Sequence, residues 1–387
     1  MSDKNQGGLS IHPYIGGSAA NLVRSVIRNG GVSRGRIPTL ALTLLGTAAT
    51  FPIRLLESAL YRRSVASTRV EQDPIFIIGH WRSGTTHLHN VISQDRRLGY
   101  LSTLQAIFPT CSVILSRNKT LKKLVAGLLP DQRMMDNMKM GVDLPQEEEF
   151  SLSCLTTASH HCNHFPSTIL RSFERYVLLD TDDDDREKWK KTYRDVIRKT
   201  SYMAGGRRLV LKNPYNTARI KVLLEMFPNA KFIHIHRNPY NIYVSALHDF
   251  IKEAEEMALQ DFTAEQFSEL CYVLYEKLMR RYWETRDLVP KGNLVEVPYE
   301  DFHRAPLAQV ERIYRELNLD LDEAARSDMS AYLESISDYR KNRYTFSTQQ
   351  AEAIRNRWGF AIQKMNYSLP PDILVDEVHD WSCSMSY

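Results

Sequence analysis

The 387-residue sequence predicts an α/β fold in which helices flank a central parallel sheet. Two short apolar runs, Ile75–Ile78 and Leu209–Leu211, and the mainly apolar segment Lys231–His236 are each followed directly by a turn. Strands at the centre of a parallel sheet are buried on both faces and therefore lack the alternation of half-buried strands. Helical periodicity lies between the runs, as expected when helices connect parallel strands.

Composition narrows the class of protein. The net charge is +4 and the basic residues are scattered, so neither a nucleic-acid stripe nor a polybasic membrane patch is indicated. The five cysteines, at 111, 154, 162, 271 and 383, include no CxxC pair. This pattern favours a reducing compartment without a structural zinc, and we expect a cytoplasmic protein, either free or associated with a membrane.

Residues 1–70 are predicted to form a leader and an apolar helical extension that precede the main domain, 71–387. The run 37–53 carries no charge, but it is short for a membrane span and contains four threonines, a glycine and two prolines. We expect a helix that covers an apolar groove of its own domain. A helix on a membrane surface and a true span are the alternatives.

The loop after the first strand has the form of an anion-binding site. Strand, glycine-bounded loop and helix follow one another, which aims a helix N-terminus at an anion. Gly79 and Gly84 have the spacing of a nucleotide-triphosphate P-loop, but Thr85 stands where that loop needs lysine. Arg82 supplies a cation instead, and further donors come from Ser83, Thr85 and Thr86.

At this point the segment Gly-His-Trp-Arg-Ser-Gly-Thr-Thr resembles the 5′-phosphosulfate loop of sulfotransferases that use 3′-phosphoadenosine 5′-phosphosulfate (PAPS). Arg237 and Ser245 lie eight residues apart across a strand, a turn and a helix, and they match the family's 3′-phosphate-binding pair. The resemblance covers about residues 74–345 and implies a P-loop-like sulfotransferase fold. It is closer to the diverse enzymes with lipid or carbohydrate acceptors than to the cytosolic phenol sulfotransferases.

The same resemblance implies roles for residues with weaker motifs. Lys212 ends a predicted strand, where the family places a lysine on the bridging oxygen of the donor. Asn213 follows it, so the catalytic histidine of the cytosolic enzymes has no counterpart there. Tyr299 matches the tyrosine that contacts adenine, and Lys341 and Arg343 match cations that close over the nucleotide.

The general base is predicted from an acidic segment. Asp143 or Leu144 can cap a helix that opens with Pro145, and an apolar face runs through 150, 154, 158 and 161. Glu147 falls at the centre of this face and Glu149 points away from it. Glu147 is therefore the leading base and Glu148 the next, with three nearby histidines as competitors: His160, His161 and His164.

Together these features predict transfer of a sulfuryl group from PAPS, in line and without a metal, to a hydroxyl of a small-molecule, lipid or carbohydrate acceptor. A lipid or glycolipid acceptor would suit a peripheral membrane contact through 37–53, and no nucleic-acid partner is expected. Two other functions stay open: a P-loop kinase that uses ATP, and a nucleotide-binding or membrane-adaptor protein without catalysis.

Overall fold

Five parallel strands form the central sheet, in the order β2-β3-β1-β4-β5, in a computed structural model that describes residues 12–130, 138–160, 164–337, 346–370 and 374–375. The strands are β1 (Ile75–Ile78), β2 (Leu98–Gly99), β3 (Arg208–Lys212), β4 (Lys231–His236) and β5 (Leu294–Pro298). A separate parallel pair joins β6 (Phe346–Ser347) and β7 (Leu374–Val375). The predicted fold class is confirmed.

Helices surround the sheet. Those before the acidic segment are α1 (Ala19–Arg28), α2 (Ile37–Ala49), α3 (Phe51–Ser67), α4 (Thr85–Ile92), α5 (Thr103–Ile107), α6 (Ser112–Arg117) and α7 (Lys119–Ala126). The others are α8 (Glu148–Leu155), α9 (Ile169–Tyr176), α10 (Asp183–Met203), α11 (Ile220–Met226), α12 (Pro239–Met257), α13 (Ala264–Thr285), α14 (Tyr299–Arg304), α15 (Pro306–Glu316), α16 (Glu323–Ser335) and α17 (Thr348–Lys364).

Strand β1 lies at the centre of the sheet because both of its faces are apolar. Phe76 and Ile78 belong to a core built mainly with α10, α12 and α13, whereas Ile75 and Ile77 face α4, α15 and α16. All four side chains are at most 1% exposed. A strand covered on both faces needs a neighbour on each edge, and β3 and β4 supply them.

The N-terminal helices pack less completely than the sequence suggests. The uncharged run 37–53 forms α2 and the first residues of α3, and Leu40, Leu44 and Ile53 are the residues of this run that pack against apolar clusters of the domain. The expectation that the run covers an apolar groove of its own domain is wrong for the opposite side of α2, where the apolar side chains are exposed. Within the described residues no single helix is long and apolar enough to cross a membrane, although the pair 34–49 and 51–67, bent by 41°, passes that test together.

Candidate active site

The carboxyl ends of the three central strands meet at one edge of the sheet. Ile77 of β1 lies opposite Lys212, the last residue of β3, and Ile78 lies opposite His234 of β4. Gly79 and Arg237 follow β1 and β4 directly. Ligands of open α/β sheets bind in this position, so the predicted phosphate loop, lysine and arginine are brought to one place.

The loop between β1 and α4 is wound tightly. A side chain at Gly79, where φ is 146°, would overlap the carbonyl oxygen of Ile235, and Gly79 N donates a 2.8 Å hydrogen bond to Thr217 Oγ1. Arg82 and Gly84 both have left-handed backbone, with φ of 67° and 89°. Thr85 then opens α4. The helix N-terminus therefore faces the loop, which is the geometry that binds an anion.

The buried Lys212 and the partly buried Glu147 form an ion pair beside this loop. Lys212 is 1% exposed; its Nζ pairs with Glu147 Oε1 and donates to Thr86 Oγ1 at 3.3 Å. Glu147 is the N-cap residue of α8, so its side chain is held at the start of a helix. A cation suited to a leaving group and a carboxylate suited to a proton thus meet at the end of β3.

A second polar group contains the other predicted donor-binding residues. Arg82 Nε donates to Ser245 Oγ at 2.9 Å, and a guanidinium nitrogen of Arg82 lies 3.7 Å from Asp249 Oδ1. Arg237 donates to the backbone carbonyl of Arg82 at 3.1 Å, and its guanidinium lies 4.7 Å from the centroid of the Tyr299 ring. Here the Arg82 side chain lies with the residues assigned to the 3′-phosphate, while Lys212 lies with Glu147.

Comparison with known proteins decides which chemistry this edge of the sheet performs. The model of the sulfotransferase family matches residues 74–323, which is more than half of the chain. The chain belongs to the sulfotransferase family. It is an enzyme that transfers a sulfuryl group, and family membership implies PAPS as the co-substrate.

Relatives and solved structures agree with this assignment. The sulfotransferase is 32% identical over 314 residues to omega-hydroxy-beta-dihydromenaquinone-9 sulfotransferase Stf3 of Mycobacterium bovis and of Mycobacterium tuberculosis, covering 81% of this chain and 80% of the relative. Its fold matches the crystal structure of STF9 from Mycobacterium avium with a TM-score of 0.63, at 17% identity over 95% and 99% of the two chains. The match to STF1 from Mycobacterium tuberculosis has a TM-score of 0.60, at 20% identity over 88% and 90%.

Glu148, the second candidate base, lies deeper in the sulfotransferase than Glu147. It is fully buried, and Tyr193 donates a 3.0 Å hydrogen bond to its Oε1. Asn216 in turn donates to the Tyr193 hydroxyl at 2.8 Å. Burial is the main reason that the pKa of Glu148 is raised to about 7, and the neighbouring Glu147 adds to the shift.

This raised pKa predicts how Glu148→Gln changes stability with pH. Between pH 4.5 and about 7, Glu148 is protonated in the folded state but ionised in the unfolded state. Folding therefore takes up a proton in this window, and the wild type loses stability as pH rises through it. Relative to wild type, Glu148→Gln should gain up to about 3 kcal/mol of unfolding free energy between pH 4.5 and 7.5. Urea titrations of both proteins at a series of pH values measure this difference. A difference independent of pH would show that Glu148 is ionised throughout.

Glu149 requires a correction. The helix begins at Glu148, later than the predicted start at Pro145, and the domain covers it on nearly every side. Glu149 does not point away but is 5% exposed, and Arg219 donates to it at 2.7 and 3.2 Å. Asn213, next to Lys212, also donates to Glu149, at 3.1 Å. The hydrogen bond from Asn213 to Glu149 therefore ties α8 to the residue that follows β3.

The structure describes two of the three competing histidines, and neither of the two cations predicted to close over the nucleotide. His160 Nδ1 and Ser172 Oγ are 2.8 Å apart, and the His160 ring packs against Tyr215. His164 packs against His12, with ring centroids 4.9 Å apart, so it belongs to the N-terminal cluster. His161, Lys341 and Arg343 lie outside the described residues, and their roles stay predictions.

Sequence reasoning missed three residues of the site. Thr217 anchors the loop through Gly79, and Tyr193 reaches Glu148 from α10; neither stands in a recognisable motif. Asp249 could have been found, because it lies one helical turn after Ser245 on α12 and so shares its face. Among the described residues no group of three or more His, Cys, Asp or Glu side chains could hold a metal ion.

Proposed function

We propose that this sulfotransferase sulfates the hydroxyl of a lipid-like acceptor, with Glu147 as general base and without a metal. The observation that carries the proposal is the ion pair of buried Lys212 with Glu147 at the carboxyl end of β3, beside the anion-binding loop. The acceptor class is supported by Stf3, whose name describes sulfation of a hydroxylated dihydromenaquinone and which shares 32% identity with this chain.

The residues at the sheet edge fit the donor. The hydroxyl of Ser83 is buried without a hydrogen-bond partner among the described residues, as expected of a donor that awaits an anion. It would hold the 5′-phosphosulfate together with Lys212, the hydroxyls of Thr85 and Thr86 and the backbone amides of the loop from Arg82 through Gly84 to Thr86. The Arg82 side chain, which donates to Ser245, would bind on the side of the 3′-phosphate. Arg237 and Ser245 would hold the 3′-phosphate, and Tyr299 would lie against adenine.

The transfer moves one proton and one sulfuryl group. The acceptor hydroxyl gives its proton to a Glu147 carboxylate oxygen as its own oxygen attacks sulfur. The new S–O bond forms while the bond from sulfur to the 5′-phosphate oxygen breaks, and that oxygen keeps the electron pair. Lys212 and the loop donors stabilise the negative charge that grows on the leaving phosphate.

Fixed cations explain why a metal is not part of the proposal. Lys212, Arg82 and Arg237 are all drawn to one edge of the sheet by β1, β3 and β4. Positive side chains placed where charge develops can neutralise it without a divalent ion. Activity that survives chelation with EDTA is the corresponding expectation.

Calorimetric titration with 3′-phosphoadenosine 5′-phosphate tests donor recognition. We expect binding by the wild type, and weakening by about tenfold or more for Arg237→Ala, because a charge-assisted contact to the 3′-phosphate contributes at least about 1.5 kcal/mol. Adenosine 5′-phosphate, which lacks the 3′-phosphate, should bind wild type and Arg237→Ala equally weakly.

Lys364→Ala serves as the matched control, because Lys364 is an exposed cation at the end of α17 that lies over Trp283. Its affinity for 3′-phosphoadenosine 5′-phosphate should equal that of wild type. If Arg237→Ala weakened adenosine 5′-phosphate as much as 3′-phosphoadenosine 5′-phosphate, the assignment of Arg237 to the 3′-phosphate would fail.

A further inference from the structure

The outward face of α2 is wholly apolar. Its exposed residues are Ile37, Pro38, Ala41, Leu42, Leu45, Ala48 and Ala49. At 100° per residue they fall within about 140° of the helix circumference, so they form one continuous face. A helix on the surface of a water-soluble domain normally carries polar residues there.

The inward face of α2 carries its threonines beside Leu40 and Leu44. Thr43 and Thr47 are buried, and their hydroxyls donate to carbonyls of the same helix, those of Thr39 at 2.7 Å and Leu44 at 2.8 Å. Gly46 allows close approach, because a side chain there would overlap Ile15. The helix therefore packs on the domain with its threonines inward and an apolar face outward.

The apolar face continues onto α3. Phe51, Leu55, Leu56 and Leu60 are each more than half exposed, and they repeat at the spacing of one helix face. Arg63 follows Leu55 by two turns and is exposed, as is Arg62. We call this surface, residues 37–63 of α2 and α3, the apolar ridge. Exposed apolar surface of this extent marks an interaction site.

The charged residues of the N-terminal segment are almost all basic, although Arg28 pairs with Asp185 of α10. Residues 12–70 contain one acid, Glu57, and eight arginines: Arg24, Arg28, Arg34, Arg36, Arg54, Arg62, Arg63 and Arg69. Glu57 is 4% exposed and pairs with Lys199 of α10, so it contributes little negative charge to the surface. The pattern of an apolar face with flanking arginines complements an interface of acyl chains and anionic headgroups.

We propose that the apolar ridge docks the enzyme on a lipid bilayer that contains anionic phospholipid, with α2 and α3 lying along the interface. A span is disfavoured because α2 is about 20 Å long, whereas a bilayer core is about 30 Å thick. The inner face is also fixed to the domain. Arg54 donates to the carbonyl oxygens of Gly17 and Thr47, and Glu57 accepts from Ile114 N at 2.9 Å.

A short element links the ridge to the helix that carries the candidate base. The 3-10 helix Pro13–Gly16 packs against both α2 and α8, and α8 begins beside Glu147. Gly17 fits closely against Cys154 of α8. Docking would therefore hold the catalytic helix one layer from the bilayer, where the hydroxyl of a membrane-dissolved acceptor is presented. This inference rests on the proposed lipid-like acceptor.

Vesicle sedimentation tests the docking surface. The full-length enzyme should bind vesicles of phosphatidylcholine with 30% phosphatidylglycerol, and the double variant Leu45→Gln/Leu56→Gln should bind them at least about tenfold less, because two apolar anchors are lost. Leu288→Gln is the matched control, since Leu288 is 53% exposed, like Leu56 at 52%, but lies outside the N-terminal helices. Arg62→Gln/Arg63→Gln should reduce the preference for phosphatidylglycerol about tenfold or more.

Two outcomes would overturn the inference. One is failure of the wild type to bind phosphatidylcholine vesicles, whether or not they contain phosphatidylglycerol; the other is equal binding by wild type and Leu45→Gln/Leu56→Gln. A concentration-dependent dimer in light scattering that the double variant abolishes, with no vesicle binding, would assign the ridge to a second copy of the chain. The double variant should keep wild-type affinity for 3′-phosphoadenosine 5′-phosphate. Failure of the wild type to bind 3′-phosphoadenosine 5′-phosphate would instead overturn the proposed function.

Discussion

Replacing Glu147 with glutamine is expected to lower kcat by about 10²–10⁴-fold, the range for loss of a general base. Glutamine has nearly the same shape as glutamate, so the start of α8 should keep its position. The amide cannot accept the acceptor's proton, however, and it leaves the buried Lys212 ammonium without its carboxylate partner. Single-turnover transfer of labelled sulfate from PAPS to a long-chain alcohol measures the effect on the chemical step.

Glu148→Gln distinguishes the two candidate bases. In the wild type the Glu148 carboxyl is fully buried and already accepts a hydrogen bond from Tyr193. The variant should therefore retain most of the wild-type kcat. The pH profile separates a base from a residue that only positions Lys212. Loss of the base removes the acidic limb of the kcat profile, whereas a positioning defect lowers the whole profile and keeps its shape. A large defect in Glu148→Gln together with an active Glu147→Gln would reverse the assignment.

The sheet and the phosphate loop were predictable because each depends on a short local pattern. The run Ile75–Ile78 with Gly79 and Gly84 specifies strand, turn and helix within a few residues, and Arg237 and Ser245 follow β4 and lie on α12 in the predicted order of strand, turn and helix. The acidic run was harder. The helical wheel assumed that α8 has one exposed side, but six of its eight residues are buried, so a glutamate opposite the apolar positions is buried as well.

The exposed side of 37–53 was missed for a different reason. An uncharged run shows that apolar residues are abundant, but it does not show which of them the domain covers. Thr43 and Thr47 occupy the buried face of α2, and Leu42 and Leu45 the open one, because the contact with Ile15 requires the small Gly46. That choice is made by tertiary packing, which periodicity alone does not specify.

Arg219→Met is expected to lower the free energy of unfolding by about 3–5 kcal/mol, the cost of leaving a buried charge unpaired. Arg219 is 1% exposed, and besides its two bonds to Glu149 it donates to the carbonyl of Tyr176 at 2.6 and 3.1 Å. Methionine fills similar volume without replacing these donors. Urea denaturation followed by circular dichroism measures the change, with Arg198→Met as control. Arg198 pairs with half-exposed Asp195 on α10, so that variant should lose at most about 1 kcal/mol.

The double variant Glu149→Gln/Arg219→Met separates the cost of an unpaired buried charge from the cost of the lost hydrogen bonds. It removes both charges, so it should be more stable than Arg219→Met alone, although less stable than wild type because the carbonyl of Tyr176 loses its donors. If the single variant were as stable as wild type, the pair would contribute nothing to the fold. Because Asn213 adjoins Lys212, Arg219→Met should also lower kcat at temperatures where it remains folded. Its affinity for 3′-phosphoadenosine 5′-phosphate should change little, since Arg237 directly follows β4 and Ser245 lies on α12, so neither is on α8.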